Sequence, residues 1–289
     1  MIPMESPKVF VVILNKDGKE CLPECLRGVF GLAYPNFEVV VVDNASRDGS
    51  IEDARRDFGR VHFILNRENL GFAAGMNIGI RFARSKGARF IWLMNNDAVP
   101  GRDALSELVR IAMREPKALL SPLVLDRSGK TWFSGGRIDW LRMRAVHVDS
   151  PTDTKRNDPY GTGFLSGCAL FLPVDAIGAV GLFDEGYFLY YEDADYSLRA
   201  KKSGFRLLIA PKAVVVHGER SSGNPEKVYW LVRSGLRFFR LHAPWWHMPY
   251  LASCLAMRKI KNRYDVKRGL EEARLVARAY ADEKTGRNR

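Results

Sequence analysis

Cysteine is scarce in this sequence, and the few cysteines form no recognisable cluster. They stand at Cys21, Cys25, Cys168 and Cys254, without a CxxC pair and without the spacing of a small disulfide-stapled scaffold. A structural zinc site and a disulfide framework are therefore excluded as the basis of the fold. Residues 1–9 also lack the charged and then apolar layout of a signal peptide. We expect a protein of a reducing compartment that works in the cytoplasm.

Phosphate-binding loops are missing as well. Gly71, Gly75 and Gly79 recur every fourth residue, which suits close packing along one face of a helix. Residues 161–167 miss the GxGxxG fingerprint by one position, and no GxxxxGK[ST] motif occurs. A nicotinamide-dependent dehydrogenase and a P-loop enzyme are thus poorly supported. A diphosphate ligand would need a metal ion instead.

No apolar run in the C-terminal region is long enough to span a bilayer. Residues 243–257 form an apolar stretch of fifteen with two prolines, whereas a spanning helix needs about 20 residues. This stretch contains the pair Trp245 and Trp246 and is followed at once by the basic residues 258–263. Paired Trp beside a basic cluster is typical of a segment that lies at a membrane surface. A helix that covers the rest of the protein is the alternative.

Positive charge is concentrated at the C-terminus. The formal net charge is +12, and residues 226–289, with 15 Lys and Arg against 6 Asp and Glu, hold +9 of it. We therefore divide the chain into a domain at 1–225 and a basic, helical region at 226–289. An anionic membrane surface is the expected partner of that region. Nucleic acid is not, because the aromatic residues are clustered rather than interleaved with the charges.

The first half of the sequence alternates short apolar runs with helical patterns. The periodicity predicts strands at 9–14, 38–42, 62–65 and 90–94, and helices at 19–31, 50–58, 71–83 and 102–114. This alternation predicts an α/β fold with a mostly parallel sheet that is flanked by helices. Ligands of such sheets bind beyond the carboxyl ends of the strands.

Acidic and amide side chains stand at two of these strand ends. Asp43 ends the second strand, and Asn95, Asn96 and Asp97 end the fourth. Because both ends lie on one edge of a parallel sheet, they indicate a polar, cation-assisted pocket. The simpler alternative, for each acid taken alone, is that it caps the following turn.

Three carboxylates crowd into four positions further along the chain. Glu192, Asp193 and Asp195 begin a predicted helix at about residues 193–202 and are bracketed by aromatic residues. Acids this close repel one another, so partial burial drives their pKa values apart and suits them to proton or cation chemistry. Alternatively, all three acids only satisfy the positive end of the helix.

The ordered motifs resemble those of glycosyltransferase family 2. The upstream motifs are residues 11–15, residues 40–50, the block NLGFAAGMN at 69–77 and LMNND at 93–97. The downstream motifs, which are similar to the rhamnosyltransferase and galactofuranosyltransferase branch, are residues 181–185, 191–199, 204–205, 211–213 and His217. The resemblance covers about residues 8–222.

This resemblance implies a GT-A fold with a Rossmann-like sheet, a nucleotide-diphosphate sugar donor and inversion at the anomeric carbon. It also implies a divalent metal. Asn95, Asn96 and Asp97 occupy the place of the family's DxD-type motif, and because the first acid is Asn here, we expect only Asp97 of the three to ligate the ion. His217 matches a metal-ligating histidine of some members. So few protein ligands are consistent with Mn²⁺ or Mg²⁺.

The resemblance also assigns roles to individual residues on both sides of the site. Asp193 matches the base that takes the proton of the acceptor hydroxyl, with Glu192 and Asp195 as supporting acids. Residues 126–160, polar with several aromatic and arginine residues, read as a variable excursion that either frames the acceptor or is a mobile surface loop. The expected donor and nucleotide contacts are Asn15, Asp43, Asn44, Asn69, Gly71, Asn77, Asn95, Asn96 and Gly167.

The sequence-based expectation is therefore an inverting transferase that moves rhamnose from dTDP-rhamnose to a lipid-linked or cell-surface glycan. We also expect this transferase to attach peripherally to the cytoplasmic face of a membrane. Transfer of a hexose or of galactofuranose from a UDP donor is the first alternative. The second is a non-catalytic protein that binds sugar nucleotides or glycans.

Overall fold

The computed structural model describes residues 6–149, 157–218 and 226–285. Three sequence-based expectations fall partly outside these described residues. They are the boundary between the two regions at residue 225, the part of the excursion at 150–156, and the N-terminal residues 1–5. The division into two domains stays a prediction.

The elements follow the predicted alternation over the first 114 residues. The described helices are α1 (Leu22–Phe30), α2 (Ser50–Asp57), α3 (Gly71–Ser85), α4 (Ala104–Arg114), α5 (Val174–Val180), α6 (Glu192–Lys202), α7 (Glu226–His242), α8 (Met248–Lys267) and α9 (Glu271–Thr285). The described strands are β1 (Val9–Asn15), β2 (Phe37–Asp43), β3 (Val61–Leu65), β4 (Phe90–Asn95), β5 (Ala98–Pro100), β6 (Ala118–Asp126), β7 (Thr131–Phe133), β8 (Gly136–Asp139), β9 (Arg144–His147), β10 (Tyr160–Gly161), β11 (Ala169–Pro173) and β12 (Arg206–His217).

One large sheet organises the described part of the chain, in the order β10-β12-β6-β11-β4-β1-β2-β3, with β5 beside β12 and β7 beside β6. Strands β1 to β4 run parallel to one another, whereas β11 lies antiparallel between β4 and β6. The hairpin β8-β9 forms a separate small sheet. The prediction of an α/β fold of the GT-A type with a mostly parallel sheet is confirmed.

Register within this sheet brings the polar strand ends together. Asn15 at the end of β1 stands opposite Asp43 at the end of β2, and Leu14 stands opposite Asn95 of β4. The apolar residues before these ends are buried on both faces of the sheet, as expected of parallel strands covered by helices. Burial therefore fixes the register, and the register places the polar residues on one edge.

Close packing of α3 on the sheet explains the period-four glycines. A Cβ atom on Gly75 would lie 2.5 Å from Leu14 Cδ1, and one on Gly79 would lie 2.3 Å from Val12 Cγ1. Both distances are too short for any side chain, so the helix can approach β1 only where it carries glycine. The interpretation as a packing face is confirmed for Gly75 and Gly79, whereas Gly71 lies against Phe188 with φ +80°.

Helix α7, the first helix of the C-terminal region, packs directly on the turn that precedes the acid cluster. Phe188 stacks on Trp230 with ring centroids 4.4 Å apart, and the Ser234 hydroxyl donates to the Leu189 carbonyl at 2.7 Å. Arg237 forms an ion pair with Asp184 at 2.7 Å. This helix therefore supports the catalytic face of the molecule.

Candidate active site

A single cavity of about 590 Å³ lies beyond the carboxyl ends of β1 and β4. It is mixed in character, because aromatic side chains share its wall with carboxylates, amides and two imidazoles. The predicted site residues on this wall are Asn95, Asn96, Asp97, Gly167, Glu192, Asp193 and His217. The structure thus joins segments that lie more than a hundred positions apart in the sequence.

The β1 and β2 ends form a hydrogen-bonded amide and carboxylate pair at the edge of this cavity. Asn15 Nδ2 donates to Asp43 Oδ1 at 2.9 Å, and Asn96 Nδ2 donates to Asn15 Oδ1 at 2.8 Å. Asp43 also accepts from the backbone N–H and the hydroxyl of Ser46, at 2.9 and 2.6 Å. These bonds order the loop after β2 and link it to the Asn95–Asp97 motif. A contact of Asp43 with a nucleotide base stays a prediction.

A second group of predicted donor contacts holds loops in place. Asn44 Nδ2 donates to the Asn69 side-chain oxygen at 3.1 Å and to the Gly71 carbonyl at 3.0 Å. Gly71 has φ +80°, and a Cβ atom there would lie 2.4 Å from the Phe188 carbonyl oxygen. The N-terminus of α3 is therefore fastened to the segment that precedes the acids. Asn44, Asn69 and Gly71 do not line the cavity themselves.

Asn77 lies deeper and away from the cavity. Its side-chain nitrogen donates to the Phe183 carbonyl at 3.0 Å and to Glu185 at 2.9 Å, and its oxygen accepts from the Phe183 N–H at 3.0 Å. The side chain is fully buried. Because its amide is engaged in these bonds, the geometry does not support the predicted donor contact of Asn77. This residue locks α3 to the segment at 181–185.

Asp97 and His217 face each other on one wall of the cavity. The Asp97 Oδ1 and His217 Nε2 atoms are 3.1 Å apart, and Trp132 packs edge-on against the imidazole with ring centroids 4.4 Å apart. Burial lowers the pKa of His217, but neighbouring Cys168 and Asp97 outweigh burial and raise it to about 10. The two side chains are therefore in direct polar contact in the buried wall of the cavity.

This donor set fits a divalent metal with few protein ligands. Two cis ligands of an octahedral ion with bonds near 2.1 Å lie about 3.0 Å apart, which is close to the separation of these two atoms. Among the described residues, no group of three or more His, Cys, Asp and Glu converges on one point. Most positions around an ion at this wall would therefore belong to the donor diphosphate and water.

Asp193 lines the same cavity. Its Oδ2 accepts from the Gly167 N–H at 2.9 Å, and its Oδ1 accepts from the Ala194 N–H at 2.7 Å. Burial raises the pKa of Asp193, while these backbone donors and His147 work in the opposite direction without cancelling it. Gly167 therefore orients the acid, and this bond gives it a role besides any contact with the sugar.

Glu192 shares the cavity with Asp193 but carries its proton more tightly. Burial and the adjacent charge of Asp193 raise its pKa well above the ordinary value of a glutamate. Its Oε2 atom makes no hydrogen bond with any described residue. Burial thus raises the pKa of both neighbouring acids, and the charge of Asp193 raises that of Glu192 further, which is the kind of separation that acid–base sites use.

Asp195 points away from the cavity into a buried ion-pair cluster. It accepts from Arg199 Nε at 2.8 Å and pairs with His242 Nε2 of α7 at 2.6 Å. Burial raises the pKa of Asp195, but the bonds from His242 and Arg199 outweigh burial and leave it below the ordinary value. The structure therefore makes Asp195 a clamp between α6 and α7, where the sequence suggested a supporting acid of the site.

Asp195→Ala is expected to lower the free energy of unfolding by about 3 kcal/mol or more, because it leaves a buried imidazole and a guanidinium unpaired. The pKa of Asp195 is lower in the folded state than in the unfolded state. The carboxylate therefore stabilises the fold fully above the ordinary aspartate pKa, and this stabilisation is lost as the pH falls through the folded-state pKa. Urea unfolding at neutral and acidic pH measures both effects. Glu68→Ala, at an exposed loop residue, is the control and should change stability by less than about 0.5 kcal/mol.

Several residues of the site escaped the sequence analysis. Trp132 and His147 line the cavity from the excursion at 126–160, and Tyr190 lines it from the turn before the acids. Tyr190 and Tyr191 both have positive φ, at 68° and 67°. Two bulky residues in the left-handed backbone region carry conformational strain, so side-chain packing must hold this turn. The aromatic pair beside the acids was visible in the sequence, but its backbone conformation was not.

Comparison with known proteins agrees with the family resemblance of the sequence motifs. The profile described as glycosyl transferase family 2 matches residues 8–181. An N-acetylglucosaminyl-diphospho-decaprenol L-rhamnosyltransferase of Mycobacterium tuberculosis is 29% identical over 250 residues, which cover 76% of this chain and 81% of the relative. The dTDP-rhamnosyl transferase RfbF of Shigella flexneri is 26% identical over 234 residues, which cover 77% and 76%.

A solved structure shows the same fold. The crystal structure of GalNAc-T7 with UDP, GalNAc and Mn²⁺ superposes with a TM-score of 0.68 at 17% identity, over 82% of this chain. The chain spans about half of that protein, namely 48% of its length. At this identity the likeness concerns the fold alone.

Proposed function

Because the chain belongs to glycosyl transferase family 2, we propose that it transfers rhamnose from dTDP-rhamnose, with inversion, to a hydroxyl group of a lipid-linked glycan. One observation carries the proposal: the Asp97–His217 pair and the acid Asp193 lie on the wall of one cavity. The choice of sugar is supported by the two rhamnosyltransferase relatives. A UDP-hexose or UDP-galactofuranose donor is the alternative that the test below separates.

The chemistry is a single displacement at the anomeric carbon. The acceptor oxygen forms a bond to this carbon, the bond to the donor phosphate breaks on the opposite face, and dTDP leaves with the electron pair. Asp193 takes the proton of the attacking hydroxyl, which general base catalysis requires as the oxygen becomes positive. A buried base with a raised pKa accepts this proton more readily than an exposed aspartate does.

A bound divalent ion would neutralise the charge that develops on the leaving diphosphate. Asp97 and His217 are the residues that would hold Mn²⁺ or Mg²⁺. An imidazole ligand favours Mn²⁺ of the two. Because an imidazole ligates a metal only in its neutral form, His217 would hold the ion without its second ring proton. Trp132 keeps the imidazole ring in position from its outer face.

A donor panel tests the choice of sugar nucleotide. Purified protein is mixed with dTDP-rhamnose, UDP-galactofuranose, UDP-glucose and UDP-N-acetylglucosamine in turn, with Mn²⁺ or Mg²⁺, and both nucleotide release and the melting temperature are measured. We expect dTDP-rhamnose to give the largest values of both in the presence of metal. Turnover of a UDP sugar without turnover of dTDP-rhamnose would reject the proposed donor.

The outward surface of the C-terminal helices supports attachment to the cytoplasmic face of a membrane. Trp245 is 84% exposed, Trp246 65%, and Ile260 67%. Lys261 and Arg263 are exposed on the same helix α8. None of the described helices combines the length and the apolar character that crossing a bilayer requires. We propose that this face, which we call the Trp245 face, lies on an anionic membrane surface.

Binding to vesicles tests this role of the Trp245 face. We expect the protein to co-sediment with vesicles that contain anionic lipid at low salt, and to be released as the salt concentration rises, because basic residues act within about one Debye length. Trp245→Ala with Trp246→Ala should weaken binding, since interfacial aromatic residues anchor such segments. Equal binding of this double variant and the wild type would reject the proposal.

A further inference from the structure

A second cavity lies next to the catalytic one, and the proposed function does not yet use it. Its volume is about 310 Å³, and it is enclosed by α7, α8, α9 and the hairpin β8-β9. Most of its wall is apolar, with Leu231, Leu236, Phe239 and Leu255 as the larger contributors. We call it the Tyr191 cavity. An apolar space of this size favours an apolar ligand group.

Two guanidinium groups interrupt this apolar wall. Arg144 enters from β9 and Arg258 from α8. Arg258 Nη2 donates to the Arg142 carbonyl at 2.6 Å, which fixes one side of its planar group. Burial raises the pKa of Tyr191, whereas Arg258 and Arg144 lower it, so both cations lie near its phenol. Paired guanidinium groups of this kind match the geometry of phosphate oxygens.

The Tyr191 cavity adjoins the site of the acid Asp193. Leu231 lines both cavities. Tyr190 lines the catalytic cavity and Tyr191 the second one, and both stand on the strained turn that leads into Glu192 and Asp193. The Tyr191 hydroxyl accepts from the Ala145 N–H at 3.4 Å, which ties the turn to β9. The Tyr191 cavity thus shares Leu231 and this turn with the site of the base.

We propose that the Tyr191 cavity binds the diphosphate and the first prenyl units of a lipid-linked acceptor. This inference rests on the proposed function. A prenyl diphosphate combines an apolar chain with a dianionic or trianionic head, and the cavity offers an apolar wall with two arginines. A free glycan has neither group. The Mycobacterium relative is named for a diphospho-decaprenol acceptor, which has this chemistry.

The placement of α8 is consistent with delivery of such an acceptor from a membrane. Leu255 and Arg258 of this helix line the cavity, while Met257 and Ile260, 62% and 67% exposed, belong to its outward surface. The prenyl chain would leave the cavity beside the Trp245 face and remain in the bilayer. The sugar on the diphosphate would extend past Leu231 toward Asp193.

Calorimetric titration of the full chain with geranyl diphosphate and with inorganic diphosphate tests the inference, in the presence of dTDP and Mn²⁺ so that the donor side is filled. We expect geranyl diphosphate to bind at least about 100-fold more tightly than inorganic diphosphate, because its chain is buried. Arg144→Gln with Arg258→Gln should weaken geranyl diphosphate binding by about tenfold or more. Leu255→Trp, which fills apolar space, should reduce the preference for the geranyl chain.

The matched control is Lys261→Gln with Arg263→Gln, which removes two charges from exposed positions of the same helix. It should change binding by less than about twofold, because surface charges contribute little at physiological salt. Absence of a geranyl preference in the wild type, or equal weakening in the control, would overturn the inference. Thermal melting of each variant reports its folding. Because these are binding measurements, they remain decisive even when no sugar transfer is detected.

Discussion

Replacing Asp193 with Asn is expected to lower kcat for sugar transfer by about 10²- to 10⁴-fold, which is the usual contribution of a general base. Asparagine has nearly the size of aspartate, and its side-chain oxygen can still accept from the Gly167 N–H, whose nitrogen is 2.9 Å from Asp193 Oδ2 in the wild type. The amide cannot accept the proton of the acceptor hydroxyl, so the loss falls on the chemical step. Donor binding, measured as the thermal shift with dTDP, should change little.

The pH dependence of kcat provides a second measure of the same role. Because burial raises the pKa of Asp193, the acid limb of the wild-type profile should lie above the ordinary aspartate value of about 3.9. Activity falls as the pH falls through this raised pKa, since the protonated acid is no base. The residual activity of Asp193→Asn should lack that limb.

The neighbouring acid provides the comparison that identifies the base. Glu192→Gln retains the shape of a protonated glutamic acid, and burial already holds the pKa of Glu192 well above its usual range. Its kcat should therefore fall much less than that of Asp193→Asn. Asp175→Asn, at an exposed position of α5, should retain wild-type kcat. A larger loss in Glu192→Gln than in Asp193→Asn would move the base to Glu192.

Replacing Asp97 with Asn is expected to lower metal-dependent transfer by about 100-fold or more, because the ion that neutralises the leaving diphosphate loses its carboxylate ligand. His217, 3.1 Å from Asp97 Oδ1, would remain as a single weak ligand. Mn²⁺ binding in the presence of dTDP, followed by electron paramagnetic resonance, should weaken in the variant. A chelator should abolish wild-type activity, and added Mn²⁺ should restore it.

A nearby acid outside the cavity controls for the change in charge. Asp103 lies exposed just before α4, and Asp103→Asn should leave both Mn²⁺ binding and kcat near the wild-type values. Unchanged Mn²⁺ affinity in Asp97→Asn, or full activity after chelation, would contradict a metal role for the Asp97–His217 pair. The two readouts separate loss of the ion from general damage to the site.

Strand ends were the part of the site that the sequence could predict best. Apolar runs of β1, β2 and β4 set the register, and the register alone places Asn15, Asp43 and Asn95 on one edge. Spacing also separated the packing glycines of α3 from a phosphate loop. These inferences succeed because they depend on periodicity and burial, which a single sequence contains.

The sequence could not predict which side chains of distant segments contact one another. Asp195 and Asp193 are two residues apart, yet only Asp193 faces the cavity, because His242 and Arg199 draw Asp195 to the other side of α6. Asn77 lies in a motif that predicts donor binding, but its side-chain amide donates to Phe183 and Glu185, which are 106 and 108 positions further along the chain. Such roles depend on tertiary contacts that no local pattern records.

The contribution of the C-terminal region was the least predictable part of the fold. Its charge and paired tryptophans suggested either membrane contact or cover for the catalytic domain. The structure shows that different residues point in each direction: Trp230 and Ser234 of α7 hold the turn before the acids, while Trp245 and Ile260 face outward. Composition averages over the faces of a helix, so it could not separate them.

The anomeric configuration and identity of the sugar in the product test the central claim most directly. Wild-type protein is incubated with dTDP-rhamnose, Mn²⁺ and an N-acetylglucosaminyl-diphospho-prenyl acceptor, and the product is analysed by nuclear magnetic resonance through its anomeric carbon–hydrogen coupling. Direct displacement with Asp193 as base predicts one rhamnosyl residue whose configuration is opposite to that of the donor. A rhamnoside that retains the donor configuration, or no rhamnoside here while a parallel incubation with a UDP sugar gives a product, would contradict the account.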